Sequence, residues 1–120
     1  MTTDDLANYR ALVKSALTGT YRNRTIYTTH APSSGAILIS LLNTLEPLTD
    51  FIEEGRTPLN MHRFIEAQKF AFAHRTEFGD PAFVDNAVKW REVVQKEFGQ
   101  ETLAKIKDVR LTFLPREASY

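Results

Sequence analysis

The sequence predicts an α+β fold: one mainly helical domain over residues 1–120 that carries a short β-hairpin. Three observations lead there. Apolar residues recur at helical spacing in four stretches. One Thr-, Tyr- and Ile-rich segment, "TYRNRTIYTT", turns about Asn23. Glycine and proline punctuate the chain at the ends of these stretches.

Taken in order, "TTDDLANYRALVKSAL" reads as the first helix. Thr2 or Thr3 caps it, and Asp4 and Asp5 suit the positive end of its dipole. Leu6, Tyr9, Leu12, Val13 and Ala16 form its apolar stripe, and Gly19 ends it. "TYRNRTIYTT" then supplies two short strands about a tight turn, and Pro32 stops the extended segment. "SSGAILISLLNTLE" reads as a second helix with Ser33 or Ser34 as cap. Ile37, Leu38, Leu41, Leu42 and Leu45 make its main stripe. Ile39 spreads the apolar surface nearly all round, so this helix expects burial on most sides.

"GRTPLNMHRFIEAQKFAFAHRTEFGDP" holds the third helix, capped by Thr57, opened by Pro58 and closed by Gly79. At about 100° per residue, Met61, Phe64, Ile65, Ala71 and Phe72 share a face. Gln68 and Arg75 lie on it too, and need partners if that face is buried. "FVDNAVKWREVVQKEFG" reads as a fourth helix with an apolar arc of Val84, Ala87, Val88, Trp90, Val94 and Phe98, ended by Gly99. A short helix over Glu101 to Lys107 follows. "DVRLTFLPREASY" is extended or irregular, with Pro115 arguing against a central strand.

Composition narrows the partners. Fifteen basic residues balance fifteen acidic ones, which gives no electrostatic reason to expect nucleic acid or an anionic membrane. The chain has no cysteine, which excludes disulfides and thiolate metal sites. No stretch approaches the roughly 18 consecutive apolar residues of a membrane span. "MTTDDLANYR" lacks the basic and apolar regions of a signal peptide, so the expectation is a cytosolic protein or an internal piece of something longer.

The segment with the most concentrated chemistry is "HAPSSG", His30 to Gly35. No glycine stands two residues before either serine, so it is not a nucleophile elbow, and no lysine follows the glycine, so it is not a Walker loop. A helix cap is the plain reading. A serine hydrolase using Ser33 or Ser34 with His30 would lack an acid partner. His62 and His74 lie over three turns apart and cannot share a metal, and none of the histidines belongs to a zinc-binding pattern. Asp4, Asp5, Glu53 and Glu54 fall near helix ends as solvated residues. Removing Met1 would expose Thr2 as an N-terminal nucleophile, but Thr2 abuts a helix start and lacks the strand such a residue needs. The expected catalytic, cofactor-binding and metal-ligating residues are therefore none.

Several stretches together resemble the γ-glutamyltransferase family (γ-glutamyltranspeptidase, glutathione hydrolase). They are "DLANYR" from Asp5, "TYRNRTIYTTHAPSSGAILISLLNTLE" from Thr20 and "HRFIEAQKFAFAHRTEFGDPAFV" from His62. Their order and spacing resemble the C-terminal part of that family's large subunit, over about Met1 to Val84 with a looser continuation to Tyr120. "YTTHAPSSG" and "EAQKFAFAHR" with "GDPAF" are specific as a pair, and the wording is most like fungal members. The resemblance implies part of an N-terminal-nucleophile hydrolase of αββα layers, incomplete over residues 1–120, hence a single partial domain.

It further implies a precursor that cleaves itself into two subunits. A threonine at the start of the small subunit takes the γ-glutamyl group of glutathione as an acyl-enzyme and passes it to water or an amino acid, with no cofactor. The match implies that this threonine lies beyond Tyr120 and that the missing small subunit is the natural packing partner. The chain alone is then expected to be inactive and prone to self-association. Family members belong to the plasma membrane or the secretory and vacuolar lumen. Ala36, His30, Ala31 and His74 depart from the family wording without touching a catalytic role. Arg75, Asp80 and Pro81 match its helix-end pattern, and Arg75 is expected to be held by a carboxylate or by carbonyls near the Gly79–Pro81 turn. The alternative is an inert stand-alone helical interaction module.

Overall fold

The hairpin forms where the turn chemistry places it. The computed structural model describes residues 1–85 and 87–109. In it, β1 (Leu17–Tyr21) pairs antiparallel with β2 (Arg24–Thr28), with Gly19 opposite Ile26. Arg22 and Asn23 occupy the two turn positions with φ of 47° and 63°. Two positive φ values match the twist of a two-residue hairpin turn, and asparagine tolerates them better than most residues.

The first helix is shorter than its stripe predicts. α1 spans Thr3–Asn8 only, and residues 9–16 are irregular. Thr2 does cap it: Asp5 N–H donates to Thr2 Oγ1 at 3.2 Å, and Thr2 N–H donates to the Asp5 carboxylate at 2.6 Å. The failure lies further along. Leu6, Tyr9, Leu12 and Val13 are all exposed, so no surface receives the stripe, and an isolated helix of this length is marginal in water. Gly19 is therefore not a helix end. It sits in β1, where an added Cβ would lie 3.0 Å from Ile39.

α2 (Gly35–Leu45) is the centre of the fold, as its nearly all-round apolar surface predicts. It packs on α4 (Pro58–Arg75), on α6 (Lys96–Lys105), on α5 (Ala87–Val93) and on the hairpin. One core cluster joins Ala36 and Ile37 to Ala71, Phe78 and Val93; a second joins Leu45 to Ala67, Phe70 and Ile106. A short turn of helix, α3 (Asp50–Glu53), links α2 to α4.

Thr57 and Pro58 open α4 as expected, with Thr57 Oγ1 accepting from Asn60 N–H at 3.2 Å. The helix stops at Arg75, four residues before Gly79. Its buried face matches the predicted one only in part: Ala71 is buried and Phe64 packs on the second cluster, but the rest of the predicted face is not buried. Ala67, Phe70 and Ala71 point at α2, because two alanines allow close approach, whereas Met61, Ile65 and Phe72 are 39%, 49% and 67% exposed. These three form a solvent-facing stripe along α4, with the half-buried Gln68 among them.

The predicted fourth helix is broken in two. Asn43, buried within α2, donates through Nδ2 to the carbonyls of Val94 and Gln95 at 2.9 and 3.2 Å. Those bonds hold the chain out of helical register between α5 and α6. Gly99 lies inside α6 against Asn43 rather than at a helix end, and the expected helix over Glu101 to Lys107 is the continuation of α6. The segment "RLTFLPREASY" lies outside the described residues.

The described body is drawn out, with extents of 56 × 37 × 24 Å and a Cα radius of gyration of 17.2 Å. A compact domain of this length has a radius of about 13–14 Å. No described helix is long and apolar enough to cross a membrane.

Candidate functional site

Ser34 occupies the position before α2, but it does not cap the helix with its side chain. Its backbone, at φ −89° and ψ 26°, is not the extended conformation that turns an N-cap hydroxyl back onto the first-turn amides. Instead Ser34 Oγ accepts from Arg75 Nε at 2.8 Å. Arg75 also donates through Nη1 to the Phe78 carbonyl at 3.1 Å and through Nη2 to the Pro32 carbonyl at 3.2 Å. The expected anchoring of Arg75 by carbonyls is thus found. Phe78 directly precedes the Gly79–Pro81 turn, and Pro32 and Ser34 are partners across the fold. Among the described residues no carboxylate pairs with Arg75.

One planar guanidinium therefore ties the end of α4 to the loop that starts α2. Asp80 organises the adjoining turn, its Oδ1 accepting from Ala82 N–H at 2.9 Å. Replacing Arg75 with methionine should destabilise the chain by about 1–3 kcal/mol, since three acceptors lose their donor at a partly buried junction. Thermal melts of Arg75→Met beside Arg75→Lys check this; an unchanged midpoint for the methionine variant would count against the clamp.

Ser33 is exposed, and its backbone N–H donates to the His30 carbonyl at 3.1 Å. Among the described residues no hydrogen bond links the His30 ring to either serine. The arrangement offers neither serine a base.

The other histidines are separated as predicted. The His62 ring Nε2 lies 2.8 Å from the Lys107 carbonyl. His74 stacks edge-on to Phe98 at 5.0 Å, with Glu77 3.8 Å from its Nδ1. Burial pushes the His74 pKa below its ordinary value near 6.5, helped by Lys105 and Lys89 and opposed by Glu77. The sign follows. The unfolded chain takes up this proton first, so the His74 contribution is complete above about pH 6.5 and is lost as pH falls through the lower folded value. Melting midpoints should therefore decline below about pH 6.5, and His74→Gln should flatten that part of the profile. Among the described residues no group of three or more acidic or histidine side chains is placed to hold a metal ion.

Sequence periodicity missed the long-range polar pairs. Arg63 bridges Asp50 and Asp108, each at 2.8 Å. Glu46 joins the hairpin to α6: it accepts from Arg22 N–H at 2.7 Å and pairs with Lys96, whose Nζ also donates to the Thr20 carbonyl. Burial works to raise the Glu46 pKa, but the Lys96 and Arg22 contacts outweigh it and hold it below the ordinary range. Glu66 is fully buried on α4 and pairs with Lys69 at 2.8 Å. The Arg63 and Glu46 groups fix elements to one another, whereas the Glu66–Lys69 pair lies within α4.

Residues 1–119 match the family described as Gamma-glutamyltranspeptidase. The chain belongs to that family. A glutathione hydrolase of Aspergillus flavus is 46% identical over 70% of the chain, and a glutathione hydrolase proenzyme of Arthroderma benhamiae is 35% identical over 90% of it. The resemblance to fungal members thus holds. The chain spans 14% and 19% of the length of those two proteins. Among solved structures, the gamma-glutamyltranspeptidase of Helicobacter pylori matches 93% of the chain with a TM-score of 0.85 at 29% identity, and the chain covers 32% of it. That of Pseudomonas nitroreducens, in complex with L-DON, matches 94% with a TM-score of 0.82 at 25% identity, and the chain covers 34% of it. Helices around a two-stranded hairpin are consistent with part of the N-terminal-nucleophile hydrolase fold of these γ-glutamyltranspeptidases. In this chain, "HAPSSG" and Arg75 are two halves of one structural joint.

Proposed function

We propose that the chain is a large-subunit segment, a single partial domain over residues 1–120, of a γ-glutamyltransferase. The parent reaction is transfer of the γ-glutamyl group of glutathione or a related compound to water or an amino acid through a threonine acyl-enzyme. In this reading the threonine comes from polypeptide other than residues 1–120, and the chain supplies scaffold rather than chemistry. The observation that carries it is the match of 93% of the chain to one third of a solved γ-glutamyltranspeptidase chain. The drawn-out body and the exposed stripe of α4 support a packing partner such as the small subunit. The compartment would be that of the family, at the plasma membrane or in the secretory or vacuolar lumen.

A chromogenic γ-glutamyl anilide tests the reading. The purified chain should release no chromophore above background, whereas saturable turnover would place the nucleophile within these residues and overturn it. Coding sequence that runs on past codon 120 into a "GTTH"-type segment is the expected companion result; a stop codon there would favour the inert interaction module. By itself the chain should self-associate through Met61, Ile65 and Phe72 at high concentration. Sedimentation of Ile65→Lys/Phe72→Lys should show a shift towards monomer.

A further inference from the structure

A cavity of about 540 Å³ opens between the irregular segment after α1, the bend at His30 and the α5–α6 break. This volume lies in the range of small-molecule pockets. Its wall is apolar, formed by Leu17, Ala31, Pro81, Trp90 and Val94. Two cations, Lys14 and Arg91, stand at it with His30, and among the described residues no carboxylate lines it. Among the described residues neither Lys14 nor Arg91 forms an ion pair. Among the described residues the buried Trp90 indole Nε1–H has no hydrogen-bond partner, although the ring itself is stacked on Phe78 at 4.3 Å. A buried indole N–H ordinarily finds an acceptor. A second space of about 350 Å³ shares Lys14, Ser15, His30 and Ala31 with the first, which extends it towards Pro32.

We propose that this cavity binds a small apolar monoanion, a carboxylic acid with a medium-length hydrocarbon tail. The tail covers the apolar wall and removes it from water. The carboxylate faces two cations that no acid among the described residues neutralises. A cationic amphiphile of the same length would meet like charges at the same place. A neutral sugar or nucleoside would leave its hydroxyls unpaired against the apolar wall. The site makes no use of the Arg75 side chain or of any γ-glutamyl chemistry, so it stands or falls apart from the proposed function.

Trp90 is the sole tryptophan of the chain, so its emission reports the cavity directly. Titration of the full chain with octanoate should give a saturable change in Trp90 fluorescence, whereas octylamine should give none. Lys14→Glu/Arg91→Glu should weaken octanoate by about tenfold or more, because both residues are exposed and the change acts on charge. Lys14→Gln and Arg91→Gln singly should weaken it in part, and they serve if the double variant misfolds. Phe72→Ser, on the exposed stripe of α4, should leave the affinity unchanged. The proposal is overturned by a linear response to octanoate, by an equal response to octylamine, by full affinity in the charge variants, or by loss of binding in Phe72→Ser.

Discussion

Replacing Gly35 with alanine should destabilise the chain by about 3 kcal/mol or more and lower its melting midpoint by roughly 10 °C or more. An alanine Cβ at this position would lie 2.0 Å from the Thr29 carbonyl oxygen and 2.8 Å from the Thr28 side chain. The carbonyl is main chain and cannot turn aside as a flexible side-chain tip would. Relief requires α2 to move away from the end of β2, and α2 is the element on which the other layers pack. Gly55 provides the control. It has φ of 68° with nothing within 4 Å of an added Cβ, so Gly55→Ala meets backbone strain alone, about 1–2 kcal/mol. Melting both variants by circular dichroism decides the matter. Equal losses would show that glycine's conformational freedom, and not contact at Gly35, is what matters.

The second large effect is expected at Gly99. Its added Cβ would meet the main chain of Asn43, 2.6 Å from the carbonyl carbon and 2.8 Å from the oxygen. Gly99 lies inside α6, where alanine is the better helix former by about 1 kcal/mol. A gain in stability is therefore the outcome if the helices are free to separate. We expect instead a loss of about 2–3 kcal/mol, because pushing α6 from α2 also strains the Asn43 bonds to Val94 and Gln95. Urea unfolding measures the sign. A more stable Gly99→Ala would mean that the contact between α2 and α6 is loose.

These two glycines show how far the sequence could be read. Local chemistry was legible: the Thr2 and Thr57 caps, the turn at Asn23 and the central place of α2 follow from neighbouring residues. What failed depends on partners distant in the chain. The stripe of α1 looks helical but meets no surface, and the apolar stripe of α4 is outcompeted by the alanine face that fits α2. Asn43 broke the fourth helix from some 51 residues away, and no periodicity carries that signal. At the candidate site, "HAPSSG" suggested a capping serine. The actual partner of Ser34 is Arg75, which the sequence reading set on a carboxylate or on carbonyls near the Gly79–Pro81 turn but not on this serine. The cavity beside Trp90 was invisible, since its wall comes from four separate stretches.

The topology also has a consequence for the order of assembly. The hairpin and α2 are neighbours in the chain, joined where Gly19 meets Ile39, so their contact closes only a short loop. The pin that fastens the hairpin to α6, Lys96 on the Thr20 carbonyl, spans 76 residues. Loop-closure entropy makes the first contact cheap and the second slow. The early nucleus is thus expected to be the hairpin with α2. Damage at Gly35 should then act chiefly on the folding rate, whereas damage at Gly99 should act chiefly on the rate of unfolding.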